Sequence, residues 1–489
     1  MRLPVLGSSF VAIVLLLASC GGPEKGKADV TVIGDPPALV DPAAGPLTEP
    51  QATLLANAAQ GLVRFDASGQ IVPGLAERWN VTDDGLSYIF RLETANWPDG
   101  RKIDAHQVAK LLKRQIASRS TNPIKDAFGA VDQIVAMTDR VIEISLKAPR
   151  PNLLPLLAQP EMAIVYQGRG SGPFQVLPNS KPPAVDLERT VTNLDEDVSR
   201  REEVLLHSAP AQSAVRSFVA GKTDLVLGGT FADLPYARVD GMPRNALRFD
   251  PASGLFGLEP LSAEGPLADV ELRSLLAQAI DRDALIDALN VPGLLSRATV
   301  LEPGLEGVPD PVAPDWFATP IAQRRPQLAA DADRLFGAIE RPTVRIALPN
   351  APGAKVIVRR LAADWGALGI KVEAVEPGQP ADFKLIDAVA PSNSPAWFLR
   401  QFRCAQATVC DPKIDELLDG ARNTPVPAQR YAMLSEAAQQ IDQQQLFIPL
   451  AAPIRWSLVS PQMQGFSINR FARHTLTDLA QRPDRNRGE

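Results

Sequence analysis

Apolar and polar positions alternate with period two over Leu62-Val63-Arg64-Phe65, Tyr88-Ile89-Phe90-Arg91-Leu92 and Val141-Ile142-Glu143-Ile144-Ser145-Leu146, which predicts strands there. Turns punctuate them at Asp66-Ala67-Ser68-Gly69, Thr82-Asp83-Asp84-Gly85 and Trp97-Pro98-Asp99-Gly100. The period then changes to that of a helix. Asp104 is placed to cap it, Gln107 to complete a capping box, and Val108, Leu111 and Leu112 to form one apolar face. Further on, a helix over residues 213–220 lies between strands at Val204-Leu205-Leu206-His207 and Thr223-Asp224-Leu225-Val226-Leu227, a parallel β-α-β unit. Leu272, Leu275, Leu276, Ala279 and Ile280 repeat at helical spacing before Asp281, which is expected to cap a second helix. A strand from Thr343 to Leu348, a helix carrying Val358, Leu361, Trp365 and Leu368, and a strand from Ile370 form another crossover unit. Ligands of open α/β sheets lie beyond the strand C-termini, so residues 349–353 are expected to face a cleft. Two more helix faces follow, Ile414, Leu417, Leu418 and Ala421, then Tyr431, Leu434, Ala438 and Ile441.

The chain has 489 residues, 45% apolar and 22% charged, enough for two or three lobes. A net charge of −6 argues against nucleic acid as a partner. Its 45 prolines are about twice the usual ~5% and point to many loops. The one long apolar run is N-terminal: Arg2, then Val11 to Leu17, then Leu17-Ala18-Ser19-Cys20. This looks like a signal peptide over residues 1–19 ending in a bacterial lipobox, with Cys20 the lipidated residue and 20–27 a tether; an ordinary signal peptide with an incidental Cys20 is the alternative.

No catalytic constellation assembles. Ser171 in Gly170-Ser171-Gly172 has no nucleophile elbow around it, and its glycines read as a tight turn. Three cysteines do not make a zinc site. Cys404 and Cys410 are expected to pair locally in an oxidising compartment. His106, His207 and His474 fall on separate elements, so solvated or capping roles are preferred over haem or nickel ligation, and no cofactor or metal is expected.

Pro73-Gly74-Leu75-Ala76-Glu77-Arg78-Trp79, Asp84 to Leu92, Trp97-Pro98-Asp99-Gly100 and Asp104-Ala105-His106-Gln107-Val108 together resemble one signature, that of the extracellular solute-binding proteins, family 5. The likeness continues in Gly170 to Val176, Ala279-Ile280-Asp281-Arg282 and Phe447-Ile448-Pro449-Leu450. It implies a periplasmic-binding-protein-like α/β fold of the cluster C type, two α/β lobes around a ligand cleft plus an inserted third lobe. The bounds expected are 28–50, 156–250 and 455–489 for lobe I, 51–155 for the inserted lobe II, and 251–454 for lobe III. The resemblance implies no enzyme but a monomeric lipoprotein on the periplasmic side of the bacterial membrane, passing a peptide or small polar solute to ABC permease subunits. The alternative is an envelope sensor or interaction protein of the same fold, uncoupled from transport.

The family's ligand strand corresponds to Leu385 through Leu399, and here the sequence departs from the pattern. Ala388 stands for the family's Trp, Pro391 for the Asp that holds a peptide's amino end, Ser392 for a Tyr and Ser394 for a second Asp. Glu259 occupies a position that is usually Asn. The candidate ligand residues are therefore Asp387, Ala388, Val389, Pro391 and Glu259, with Asp387 or Glu259 expected to replace the missing carboxylate.

Overall fold

The computed structural model describes residues 27–178, 180, 183–193, 198–337 and 340–481. Cys20, the segment expected to be a signal peptide and all of the expected tether except Lys27 lie outside them. No helix among the described residues is long and apolar enough to cross a membrane.

Among the described residues, three sheets carry the architecture. The first has seven strands, in the order Gln175–Val176, Ala184–Asn193, Val198–Ala209, Ala28–Ile33, Leu225–Thr230, Arg455–Val459 and Leu247–Phe249. Ala28–Ile33 lies parallel to both Val198–Ala209 and Leu225–Thr230, with Ala28 opposite Val204 and Val30 opposite Leu225. Val30 and Val32 are fully buried, as a central parallel strand requires. The helix Ala211–Val219 makes the crossover over Ala28–Ile33 and buries Ala214, Val215 and Phe218.

The second sheet is antiparallel, Ala76–Val81, Ser87–Leu92, Val141–Leu146 and Val131–Thr138, and belongs to the lobe inserted between the first strand and the rest of the seven-stranded sheet. The alternation read from Val141 to Leu146 is realised: Ile142, Ile144 and Leu146 are buried against Phe90 and the helix Ala105–Ile116. The Asp104 side chain accepts from the Gln107 N–H at 3.0 Å. The Gln107 side chain does not close a capping box; its Oε1 accepts from Trp97 Nε1 at 2.8 Å.

The third sheet is mixed, in the order Lys371–Val375, Thr343–Ala347, Phe383–Val389, Gly254–Pro260 and Ile448–Ala451. Gly254–Pro260 is buried at every position, covered by helices that include Val270–Ala279 and Arg282–Leu289. Between those helices Asp281 accepts from the Ala284 N–H at 3.1 Å, the cap expected. The sulfurs of Cys404 and Cys410 are bonded, with Cα atoms 5.2 Å apart, in the loop between helices Pro395–Arg400 and Pro412–Asn423.

The chain passes between the seven- and five-stranded sheets at residues 250–253 and again at 452–454. The loop expected to face a cleft, 349–353, instead abuts the first lobe. Gly353 N–H donates to the Ala232 carbonyl at 2.8 Å, and a Cβ at 353 would lie 1.8 Å from the Phe231 oxygen. Close backbone contact leaves no room there for a ligand.

Candidate functional site

Where the two α/β lobes face each other, a cavity of about 260 Å³ opens. The first lobe contributes Gly228, Gly229 and Thr230, at the end of Leu225–Thr230. The Trp456 indole lies across Gly229 and donates to the Thr230 carbonyl at 2.8 Å. The third lobe contributes Asp387, Ala388 and Val389, at the end of Phe383–Val389. That strand pairs with Gly254–Pro260 along its whole length, but with Thr343–Ala347 only through Phe383 and Lys384. Beyond Lys384 its second edge has no strand beside it among the described residues, and Asp387 to Val389 open onto the cavity.

Each charged group that lines the cavity already has a protein partner. Arg455, on the strand after the second crossing, donates through one Nη to both Asp387 carboxylate oxygens, at 2.7 and 2.9 Å. Burial pushes the Asp387 carboxyl above its ordinary range, and Arg455 pulls it back. Arg473 reaches Glu49 at 3.1 Å and Glu161 at 3.0 Å. Burial pulls its guanidinium down, but the two carboxylates outweigh that and raise it. His474 Nε2 lies 3.1 Å from Asp250, whose other oxygen accepts from the Asn469 N–H at 2.9 Å.

The sequence-derived candidates therefore separate. Asp387, Ala388 and Val389 line the cavity. Glu259 does not reach it: it pairs in register with Lys384, whereas Gly254 pairs with Val389. Five residues of strand put Glu259 about 17 Å from the open end. Its carboxylate lies 3.0 Å from Lys384 Nζ, and burial raises its pKa against that partner. Pro391 is buried just past the strand, its carbonyl accepting from Gln159 Nε2 at 2.8 Å. Of the two residues expected to replace the missing carboxylate, Asp387 is paired with Arg455, and Glu259 is paired with Lys384 at the other end of its strand.

Arg455, Arg473, Glu49 and Asp250 carry no local signal, and His474 reads in sequence only as a solvated or capping histidine, because each meets its partner only through the fold. The three histidines stand beside three different acids, His106 by Asp139, His207 by Asp29 and His474 by Asp250. Among the described residues no group of His, Cys, Asp and Glu is placed to hold a metal ion.

Comparison with known proteins follows the same lines. A family model described as bacterial extracellular solute-binding proteins, family 5 Middle, matches residues 70–389. A probable di/tripeptide-binding protein 5 of Pseudomonas aeruginosa is 26% identical over 476 residues, covering 86% of this chain and 89% of that protein. Haemophilus influenzae OppA, solved in complex with RPPGFSPFR, superposes with a TM-score of 0.77 at 16% identity, over 93% of this chain and 99% of that one. The murein tripeptide binding protein MppA of Escherichia coli also reaches 0.77, at 17% identity, over 94% and 99% of the two chains. At such identities the structural likeness speaks for the fold, which is that of these binding proteins.

Proposed function

Because the chain belongs to the bacterial extracellular solute-binding proteins, family 5, and so has a solute-binding role, we propose that it captures a peptide or related small polar solute between its two α/β lobes and delivers it to the permease of an ABC importer. The observation that carries this reading is the unpaired edge of Phe383–Val389 beyond Lys384, opening onto the interlobe cavity. An extended ligand adds to such an edge as a further strand, with main-chain hydrogen bonds supplying affinity. In this reading Val389 acts through its backbone; the Ala388 carbonyl faces Gly254 on the paired strand, the Asp387 carbonyl accepts from Arg455 at 3.3 Å, and the Asp387–Arg455 pair is wall rather than anchor. Pro391 lacks a backbone donor and ends the pairing.

The two crossings, 250–253 and 452–454, support hinge closure, driven by a ligand that binds the closed form more tightly than the open one. The lobe bounds 28–50, 156–250 and 455–489, then 51–155, then 251–454, are part of this proposal. So is the anchor: acylation of Cys20 holds the protein at the periplasmic face, since several acyl chains at ~0.8 kcal/mol per buried methylene retain a protein that one chain barely retains. Cys20→Ser is expected to move the protein from the detergent phase to the aqueous phase; if wild type and variant both stay aqueous, the anchor is wrong. The functional test is ligand capture. Protein purified from its host is denatured, and any released solute is identified by mass spectrometry. Uptake of that solute is then measured in a deletion strain. Unchanged uptake would remove the importer from the reading.

A further inference from the structure

A second cavity, of about 350 Å³, lies between the inserted lobe and the helices of the third lobe. Its volume falls within the range of small-molecule sites. The inserted lobe supplies residues 126–131 with Leu146, Arg150, Asn152, Leu153 and Leu156, and the third lobe supplies Ser392, Ser394 and side chains from Pro395–Arg400, Pro412–Asn423 and Pro427–Gln443. Val389 lines the interlobe cleft and Ser392 lines this cavity, with Pro391 between them held by Gln159.

The lining is strongly basic. Arg150, Arg400, Arg403, Arg422 and Arg430 are joined by a single acid, Asp126. Arg403 is neutralised away from the cavity, at 2.9 Å from Asp419 and 3.7 Å from Asp415. The others lack such carboxylates. Arg150 and Arg430 both donate to the Pro149 carbonyl at 2.8 Å. Arg150 also donates to the Arg422 carbonyl at 2.9 Å, and Arg430 to the Tyr431 hydroxyl at 2.7 Å. These acceptors are neutral: they orient the guanidinium groups without cancelling their charge. The side chains of Arg400 and Arg422 make no hydrogen bond and no ion pair with any described residue. Glu306 stands behind the wall, accepting from Tyr431 at 3.0 Å and from Asn152. Counting Asp126 and Glu306 against Arg150, Arg400, Arg422 and Arg430 leaves two positive charges unbalanced.

Burial pulls Arg150 down to about 10, helped by the like charge of Arg430, and pulls Arg400 down to about 10, with Asp126 opposing. Groups so placed gain most from an anion, because charge-assisted hydrogen bonds from fixed guanidinium forks are strong and directional. Trp397, Leu434, Leu153 and Phe128 give the same cavity apolar walls.

We propose that this cavity binds the anionic end of the solute, and that the solute is an organic anion carrying about two negative charges, as a phosphate ester or a di- or tricarboxylate, on a partly apolar body. The proposal rests on the solute-binding reading and names the ligand class for it. A ligand bridging the cavity also ties the inserted lobe to the third lobe, since its guanidinium partners come from both.

The test uses the full exported protein, stripped of ligand by denaturation and refolding. Calorimetry compares phenyl phosphate and succinate with acetate and with putrescine. Phenyl phosphate, succinate or both are expected to bind at least tenfold more tightly than acetate, putrescine not at all, and whichever dianion binds better indicates phosphate or carboxylate. Tryptophan emission is expected to change on binding in wild type, and the change to be lost in Trp397→Phe. Arg400→Gln combined with Arg422→Gln is expected to weaken dianion binding at least tenfold without lowering the ligand-free melting temperature, because it removes repulsion; a merely structural pair of arginines would lower it. Arg422→Lys alone serves if the double variant does not fold, with a weakening of several-fold expected. Dianions no better than acetate, or variants that bind dianions unchanged, would overturn the proposal while leaving solute capture and import standing. Dianion binding beside unchanged uptake in the deletion strain would do the reverse.

Discussion

Asp442, near the end of helix Pro427–Gln443, shows how one buried group ties stability to pH. Its carboxylate accepts from the Val300 N–H at 2.8 Å, yet burial dominates and pushes its pKa from 3.8 to about 7. The folded chain therefore holds this proton where the unfolded chain has released it. The stability it contributes is fully present below pH 3.8 and is lost as pH rises through about 7. The span corresponds to at most about 4 kcal/mol. Asp442→Asn keeps an acceptor for Val300 and removes the charge, so its advantage over wild type is expected to grow between pH 5 and pH 8 in thermal melts. A constant difference would refute this account. Asp387 and Arg455 behave differently, since each is held by the other with only 14% and 17% of its side chain exposed. Arg455→Met leaves a lone carboxylate in the cleft and is expected to cost about 3–5 kcal/mol. Adding Asp387→Asn is expected to recover part of that loss in a double-mutant cycle of chemical denaturation, and purely additive losses would count against the pairing. At this scale the caps at Asp104 and Asp281 were legible, because a cap needs only the next turn of chain. Gln107 was not, because the Trp97 indole competes for its side chain.

Among the elements, the helix Glu49–Ala58 shows what sets a helix start. Pro50 sits in its first turn, and Gln51 Oε1 accepts from the Thr48 N–H at 3.0 Å, start signals that outrank periodicity. Its far end explains Gly170 and Gly172, which read as turn glycines. Gly172 N–H donates to the Ala58 carbonyl at 2.9 Å, and a Cβ on Gly170 would lie 2.3 Å from the same oxygen. The glycines serve close approach of backbone to helix end, at φ values open to other residues. Gly170→Ala is expected to cost about 1–3 kcal/mol through forced backbone shifts. Denaturant titration is expected to show a lower midpoint at unchanged slope, and an unchanged midpoint would mean that the helix end yields freely. The loop at 349–353 differed from expectation for a related reason. The rule that places ligands beyond strand ends holds for a sheet facing solvent, and here another lobe occupies that space.

For the whole molecule, the arrangement of charge governs specificity. Glu49, Asp250 and Asp387, the carboxylates lining the interlobe cavity, are engaged by Arg473, His474 and Arg455 respectively. A ligand ammonium would have to break one of these pairs or stay unpaired in a closed cleft, and both are costly. Unmodified tripeptides are therefore expected to bind weakly, and N-acetylated tripeptides to bind about as weakly, in calorimetric titration of the stripped protein. Tight binding that disappears on acetylation would mean that a cleft carboxylate leaves its protein partner to take the ligand.

Near neighbours and period were enough for the alternating strands of the inserted lobe, the buried face of Val270–Ala279, the caps, the candidate cysteine pair six residues apart, and the ordered motifs that mark the family. Periodicity reports which face of an element is buried, so α/β units were legible from it, while the cleft between lobes was implied by the family resemblance. The period does not report what that face meets. Folding alone brings Arg473 424 residues back to Glu49, sets Arg455 on Asp387, and puts Glu259 at the far end of its strand from the cavity. It alone gathered arginines from two lobes around one cavity. The difference is one of range. An ion pair needs its partners within about 4 Å, and which distant segments come that close is set by strand order and chain crossings, which no local pattern encodes.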